Sequence, residues 1–291
     1  CKVTAKACPR CFMACGKMSE VKEGRHKGLR LEGPEYETIY AFGGLCMVDS
    51  IEDIMYLNDI CDQMGMDTIT AGNLAAFAIE ASSRGRILEK LEYGDVDGIA
   101  ALLWKVARRE GIGTILAEGI KYASKEWGLE DIAVHVKGME PAGYDPRALK
   151  GMGLAYATAD RGACHLRTTF YKAELSDKVD ADETRGKVEL LVEYEDKMNI
   201  FDSLILCKFY QDLIPWDGLS TILLGTTGIG LSREELRQIA ANIADITRRF
   251  NVREGVTRRD DTLPRRLFDQ PLGEKGIAKE ELERMVAEYY R

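Results

Sequence analysis

What the chain lacks narrows its class before any motif does. No apolar run approaches the ~18 residues that a membrane span needs, and no signal-peptide pattern opens the chain. Lys and Arg nowhere gather into a block, and 40 basic against 48 acidic residues leave a formal net charge of −8. That balance argues against a nucleic-acid surface. Eight cysteines in 291 residues are too few for a disulfide scaffold, so the expected compartment is a reducing cytoplasm. There is no tandem repeat and no low-complexity segment. Histidine is scarce: only His26, His135 and His165 are present. An initiator Met is absent, and Glu280 to Arg291 reads as an amphipathic helix without a C-cap, so the expectation is a piece of a longer protein.

What remains is a globular composition, 45% hydrophobic and 30% charged, long enough for about two domains with real cores. Against that background stands Cys8-Pro9-Arg10-Cys11-Phe12-Met13-Ala14-Cys15, a C-x2-C-x3-C run. A buried cysteine is a small hydrophobe with no need of a second sulfur nearby. Closely spaced thiolates suit zinc or an iron–sulfur cluster, which take soft donors converging on one point. The run has one cysteine too few for the two-cluster ferredoxin pattern, and no second C-x2-4-C hook follows for structural zinc. Cys1, Cys46, Cys61, Cys164 and Cys207 stand alone, so a fourth ligand has to come from far along the chain.

The local signals are mostly helical. Ser50-Ile51-Glu52-Asp53 reads as a capping box, opening a helix whose Ile51, Ile54, Met55, Leu57, Ile60 and Cys61 share a face and which ends at Gly65. A small-residue helix over 68–83 follows, with Ala71, Gly72, Ala75, Ala76 and Ala78 allowing close packing. Further helices are expected at 97–109, 114–127, 150–159, 181–200, 201–212 and 233–251, with one short strand at 132–136. A Gly/Pro loop at 138–147 suggests a boundary between domains 1–137 and 138–291, and 251–272 is charged and proline-broken. The fold class is mainly α, with two multi-helical domains.

Two short stretches follow one scheme. Asp62-Gln63-Met64-Gly65-Met66-Asp67 and Asp202-Ser203-Leu204-Ile205-Leu206-Cys207 each run Asp, two residues, a small or apolar one, a large apolar one, then Asp or Cys. An acidic acceptor at a helix end can receive N–H donors from a heterocycle, although Asp in such a turn is also commonplace. The second copy ends in a thiol, which makes Cys207 the natural fourth thiolate.

Together these stretches resemble the aldehyde ferredoxin oxidoreductase family of tungsten-pterin enzymes. The resemblance runs in order through the cysteine run, Gly33-Pro34-Glu35-Tyr36-Glu37, Asp62–Asp67, Tyr144-Asp145-Pro146-Arg147, Arg161–Arg167, Asp202–Cys207 and Phe250–Gly255. It implies two mostly helical domains closing over a tungsten (or molybdenum) bis-molybdopterin beside a [4Fe–4S] cluster, the family's N-terminal β-rich domain being absent from this chain. By the same resemblance Cys8, Cys11, Cys15 and Cys207 hold the cluster. Asp62, Asp67 and Asp202 bind the pterins, Met66, Leu206 and Arg167 line them, and Mg2+ bridges pterin phosphates. Ile205 departs from the family, which favours Gly there.

His165 is the first catalytic candidate, a lone His among small neighbours that the resemblance sets beside the metal, with an ordinary pKa near neutrality. Glu37, Glu35 and Tyr144 are further members, the spacing to Asp62 favouring Glu37; Cys164, Cys46 and Cys61 read as packing. The implied reaction is oxidation of an aldehyde to a carboxylic acid, with ferredoxin as acceptor and a homo-oligomer expected. An aromatic thioester reductase subunit is the alternative within the superfamily. A non-catalytic iron–sulfur or zinc-stabilised helical module is the alternative outside it.

Overall fold

The computed structural model describes all of residues 1–291. It divides into two compact units, Cys1–Gly143 and Tyr144–Arg291.

The first unit opens on a small antiparallel sheet, β1 (Lys2–Lys6), β2 (Gly16–Glu20) and β3 (Arg30–Glu32), in the order β1-β2-β3. Its register pairs Lys2 with Glu20 and Lys6 with Gly16. Residues 7–15 therefore form the hairpin loop, and that loop carries Cys8, Cys11 and Cys15. This sheet has no sequence signal because every residue of β1 is exposed; only its far side is tied down, Val21 and Leu31 packing with Met55.

The helices follow: α1 (Tyr36–Thr38), a π-helical segment (Ile39–Leu45), α2 (Ile51–Met64), α3 (Thr68–Ser83), α4 (Val96–Arg108), α5 (Gly113–Leu116) and α6 (Ile120–Trp127). Ser50 caps α2 by accepting from the Asp53 amide at 3.3 Å. The other half of the expected capping box is not made, because the Asp53 carboxylate is taken by His26 at 2.8 Å. Gly72 lets α3 lie on the π-helical segment: a Cβ there would stand 2.6 Å from that of Ala41. The helix expected over 114–127 is broken by Gly119, whose φ of +87° no L side chain adopts easily. The strand expected at 132–136 does not form. Ile132 and Ala133 are buried in the helical core, and only an isolated bridge joins Val136 to Met139.

The second unit holds α7 (Lys150–Thr158), α8 (Tyr171–Leu175), α9 (Lys187–Ser203), α10 (Trp216–Thr227), α11 (Arg233–Arg253), α12 (Arg265–Asp269) and α13 (Lys279–Tyr289). The helix expected from Ala181 starts only after Gly186, at φ +72°, and it runs on through Phe201 to Ser203. The separate helix expected over 201–212 is thereby replaced by a single 3-10 turn, Lys208–Tyr210. Within the charged stretch after Asn251, Leu263 and Leu267 are buried, the latter on α12.

The start of α7 is capped from a distance. Glu174 on α8 accepts from the Gly151 and Met152 amides at 2.7 and 3.0 Å and pairs with the Lys187 ammonium, both side chains being buried. A buried charge left without its partner is costly, so this pair fixes α7 to α8 and α9. Met198, Phe201, Trp216, Leu219, Leu223 and Leu236 form a core where α9, α10 and α11 meet. No helix is long and apolar enough to cross a membrane.

Candidate active site and cofactor-binding turns

The hairpin loop is drawn tight by a Cys11 amide that donates to the Cys8 carbonyl at 3.0 Å. Arg10 and Ala14 take left-handed φ values of +62° and +45°. Cys8 and Cys15 are exposed and Cys11 is half-buried. No three His, Cys, Asp or Glu side chains converge closely enough to hold a metal ion. The donor set nevertheless suits an iron–sulfur cluster, with soft thiols on one short loop anchored by paired strands. Cys46 and Cys61 are different: burial pushes both thiols up to about 12, so neither offers a thiolate at neutral pH.

Both Asp motifs end a helix in the same turn. In the first, the Gly65 amide donates to the Asp62 carbonyl at 3.4 Å and the Met66 amide to the Cys61 carbonyl at 2.9 Å. In the second, the Ile205 amide donates to the Asp202 carbonyl at 3.2 Å and the Leu206 amide to the Phe201 carbonyl at 2.8 Å. The residue in the fourth place is left-handed in each, Gly65 at φ +66° and Ile205 at φ +57°. This is the bond pattern of a Schellman turn. The large apolar residue after it packs down in each case, Met66 on the first core and Leu206 on the second. The closing residues match as well: Asp67 has φ −67° and ψ 127°, Cys207 φ −67° and ψ 126°.

The side chains diverge. Asp67 caps α3, accepting from the Thr70 amide at 2.8 Å, whereas Cys207 is exposed and caps nothing. Asp62 accepts only from the neutral amide of Asn58, at 2.8 Å; burial and the nearby Asp59 raise its carboxyl above the usual range. Asp202 is held by two cations, Lys208 at 2.8 Å and Arg167 at 3.2 Å. Arg167 also pairs with Asp160 at 2.9 Å.

Of the two glutamates in the Gly-Pro loop, Glu35 is exposed and Glu37 half-buried. The Gly143 amide donates to Glu37 at 2.8 Å. Burial raises the Glu37 carboxyl, and Asp67 raises it further, against the lowering effect of the Gly143 bond. In the second unit His165 faces an aromatic pair. Tyr144 and Tyr171 stack with ring centres 4.0 Å apart, and His165 lies 5.8 Å from the first and 6.2 Å from the second. Cys164 is buried, its sulfur accepting from Arg161 at 2.9 Å.

Sequence reasoning missed several groups. Tyr171, Asp160 and Lys208 enter through tertiary contacts; Asp160 and Lys208 had a cue, as the residues that flank the Arg161–Arg167 and Asp202–Cys207 stretches, and Tyr171 had none. Glu140 is a carboxyl only 5% exposed that accepts from the Thr70 hydroxyl at 3.1 Å. The second unit also carries an open cleft of about 310 Å³ lined by Asp160, Arg167, Glu195, Asp196 and Tyr289. There burial pushes Glu195 up to about 7 and Asp196 to about 6.

The chain is similar along its whole length to known proteins. The family model for aldehyde ferredoxin oxidoreductase, domains 2 and 3, matches residues 1–291. The tungsten-containing aldehyde ferredoxin oxidoreductase of Pyrococcus furiosus is 31% identical over 99% of this chain, and that of Pyrococcus horikoshii 32% identical over 99%. The WOR-like subunit of the aliphatic sulfonate oxidoreductase of P. furiosus is 28% identical over 96%. The chain spans about half the length of these relatives, 49%, 50% and 46% respectively. Among solved structures, the active-site complex BamBC of benzoyl coenzyme A reductase shares the fold, with a TM-score of 0.75 at 17% identity, covering 99% of this chain and 49% of that one. The chain belongs to the aldehyde ferredoxin oxidoreductase family and corresponds to its domains 2 and 3.

Proposed function

We propose that this chain is part of an enzyme that oxidises aldehydes to carboxylic acids at a tungsten bis-molybdopterin centre. The balanced half-reaction is RCHO + H2O → RCOOH + 2H+ + 2e−. The pterin-bound metal supplies the two-electron chemistry when bound. In this reading Asp62, Asp67 and Asp202 receive N–H donors of the pterins, with Met66, Leu206 and Arg167 beside them. Cys8, Cys11, Cys15 and Cys207 would hold a [4Fe–4S] cluster, which would supply one-electron transfer toward ferredoxin. Two further elements of the reading are Mg2+ on the pterin phosphates and a homo-oligomeric, cytoplasmic enzyme.

The observation that carries the reading is the match of the aldehyde ferredoxin oxidoreductase family model to all of residues 1–291. The reaction releases two protons, and Glu37 is a half-buried carboxyl whose raised pKa fits it to take one up and pass it on. His165, held beside Tyr144 and Tyr171, polarises the carbonyl or takes the second proton. Glu35, exposed at the start of α1, is the second carboxyl of this loop in the reading. Replacing His165 by Asn or Glu37 by Gln is expected to lower kcat by about 10²-fold or more, the usual contribution of a general acid or base. Tungsten content should stay unchanged. Loss of the metal in these variants, or unchanged turnover of a panel of aldehydes with ferredoxin, would contradict the assignment.

A second reading is reduction of an aromatic thioester, as in the benzoyl coenzyme A reductase named above. The Tyr144–Tyr171 stack favours it, because a flat pair of rings beside His165 can receive an aromatic ring. Assaying the anaerobic protein with aliphatic aldehydes, aromatic aldehydes and an aromatic thioester separates the two.

A further inference from the structure

Glu37 bonds to a strap, residues 140–143, that the sequence motifs do not include. The strap crosses the ends of α1 and α3 within the first unit. At the far end the buried Glu140 is anchored on two helices, accepting from the Thr70 hydroxyl of α3 at 3.1 Å and from the Ile120 amide that starts α6. The Asn73 side chain on α3 donates to the Pro141 carbonyl at 3.5 Å. At the near end both polar atoms of Gly143 are used by α1. Its N–H donates to Glu37 at 2.8 Å, and its carbonyl accepts from the Tyr36 hydroxyl at 3.0 Å.

Nothing larger than glycine fits at this near end. A Cβ on residue 143 would stand 2.7 Å from the Tyr40 ring, closer than real Cβ contacts come. The strap's path is therefore set at three points: by Thr70, Asn73 and Ile120 at its start, by Tyr40 beneath Gly143, and by the paired bonds to Tyr36 and Glu37 at its end. Asp67, one turn before Thr70 on α3, is the ionisable group acting on both Glu37 and Glu140.

We propose that the Glu140–Gly143 strap is the positioning device for Glu37, with Gly143 supplying the fixed donor and Glu140 the buried anchor. This rests on the reading of Glu37 as the proton-handling group; Glu140 itself acts only through the strap. A hydrogen bond to the ionised carboxylate favours ionisation, so displacing the Gly143 amide should move the titration of Glu37 upward.

The test follows the Glu37 carboxyl by carbon-13 NMR in the 291-residue chain, assigned by its loss in Glu37→Gln, alongside hydrogen exchange of the Gly143 amide. Gly143→Ala should raise the titration midpoint. Glu140→Ala should raise it less and speed Gly143 exchange by about tenfold, the response to ~1.4 kcal/mol of lost protection. Glu140→Gln, which keeps an acceptor for Thr70, should restore both readouts. Thr70→Val, which removes one of the two outside donors to Glu140 and leaves the Ile120 amide, should shift both readouts in the same direction as Glu140→Ala but by less, and it serves as the test if Glu140→Ala does not fold. An unmoved Glu37 midpoint and unchanged Gly143 exchange in folded Gly143→Ala and Thr70→Val would overturn the proposal. If the midpoint moves as expected while Glu37→Gln leaves turnover of the loaded enzyme intact, the strap stands and the role given to Glu37 falls.

Discussion

Asp62–Asp67 and Asp202–Cys207 leave their helices by the same route, with the same pair of turn bonds, a left-handed fourth residue and a closing residue of matching φ and ψ. One closes on a carboxylate that starts a sixteen-residue helix, the other on an exposed thiol that starts a three-residue turn. One opening Asp is held by a neutral amide and the other by two cations. The backbone thus supplies a common cradle, and the side chains decide whether it is fastened to the core or left available. The first copy spends its closing residue on helix stability. The second leaves the Cys207 thiol exposed.

The fourth residue offers the sharpest way to break the likeness. Gly65→Ile would place a β-branched residue at φ +66°, where a Cβ meets no atom within 4 Å, so backbone strain alone acts. The expected loss is about 1–2 kcal/mol, read as a lower urea midpoint. At the closing residue, Asp67→Ala should cost about 1 kcal/mol through the lost α3 cap, while Cys207→Ala should change stability by less than about 0.5 kcal/mol. Equal losses at the two positions would mean that Cys207 too has a structural role. Ile205→Gly runs the first experiment in reverse and should stabilise by about 0.5–1 kcal/mol, the strain relieved less glycine's entropic cost. The smallest effect concerns the opening residue. Asp62 should titrate above an ordinary Asp by NMR, and Asn58→Ala should move it further up by removing the bond that favours its charged form. Because its folded pKa is raised, Asp62 favours the fold only at acid pH, and that contribution fades as pH rises through the raised pKa.

Local chemistry explains what was legible in advance. α2 carries its own start and stop in Ser50 and Gly65, and α3 its stripe of small residues, so both could be read residue by residue. The three-stranded sheet could not, since β1 has no buried face to produce alternation. Residues 132–136 had the alternation but no strand to pair with, and their apolar side chains went into a helical core instead. α9 starts later than the local pattern suggests because Gly186 is left-handed and Lys187 is drawn into a buried ion pair with Glu174 of α8, which no local pattern announces. The same holds at the site. Glu37, His165 and the two Asp motifs stand in recognisable stretches, whereas Tyr171 and Glu140 enter through contacts made only after folding.

The most direct test of the central claim is metal and sulfide analysis of the protein purified without oxygen from its native cells. About one tungsten is expected and, as a [4Fe–4S] cluster requires, about four irons with acid-labile sulfide per chain. Zinc alone, with neither tungsten nor pterin fluorescence, would contradict that claim and leave the thiols of the hairpin loop as a structural site.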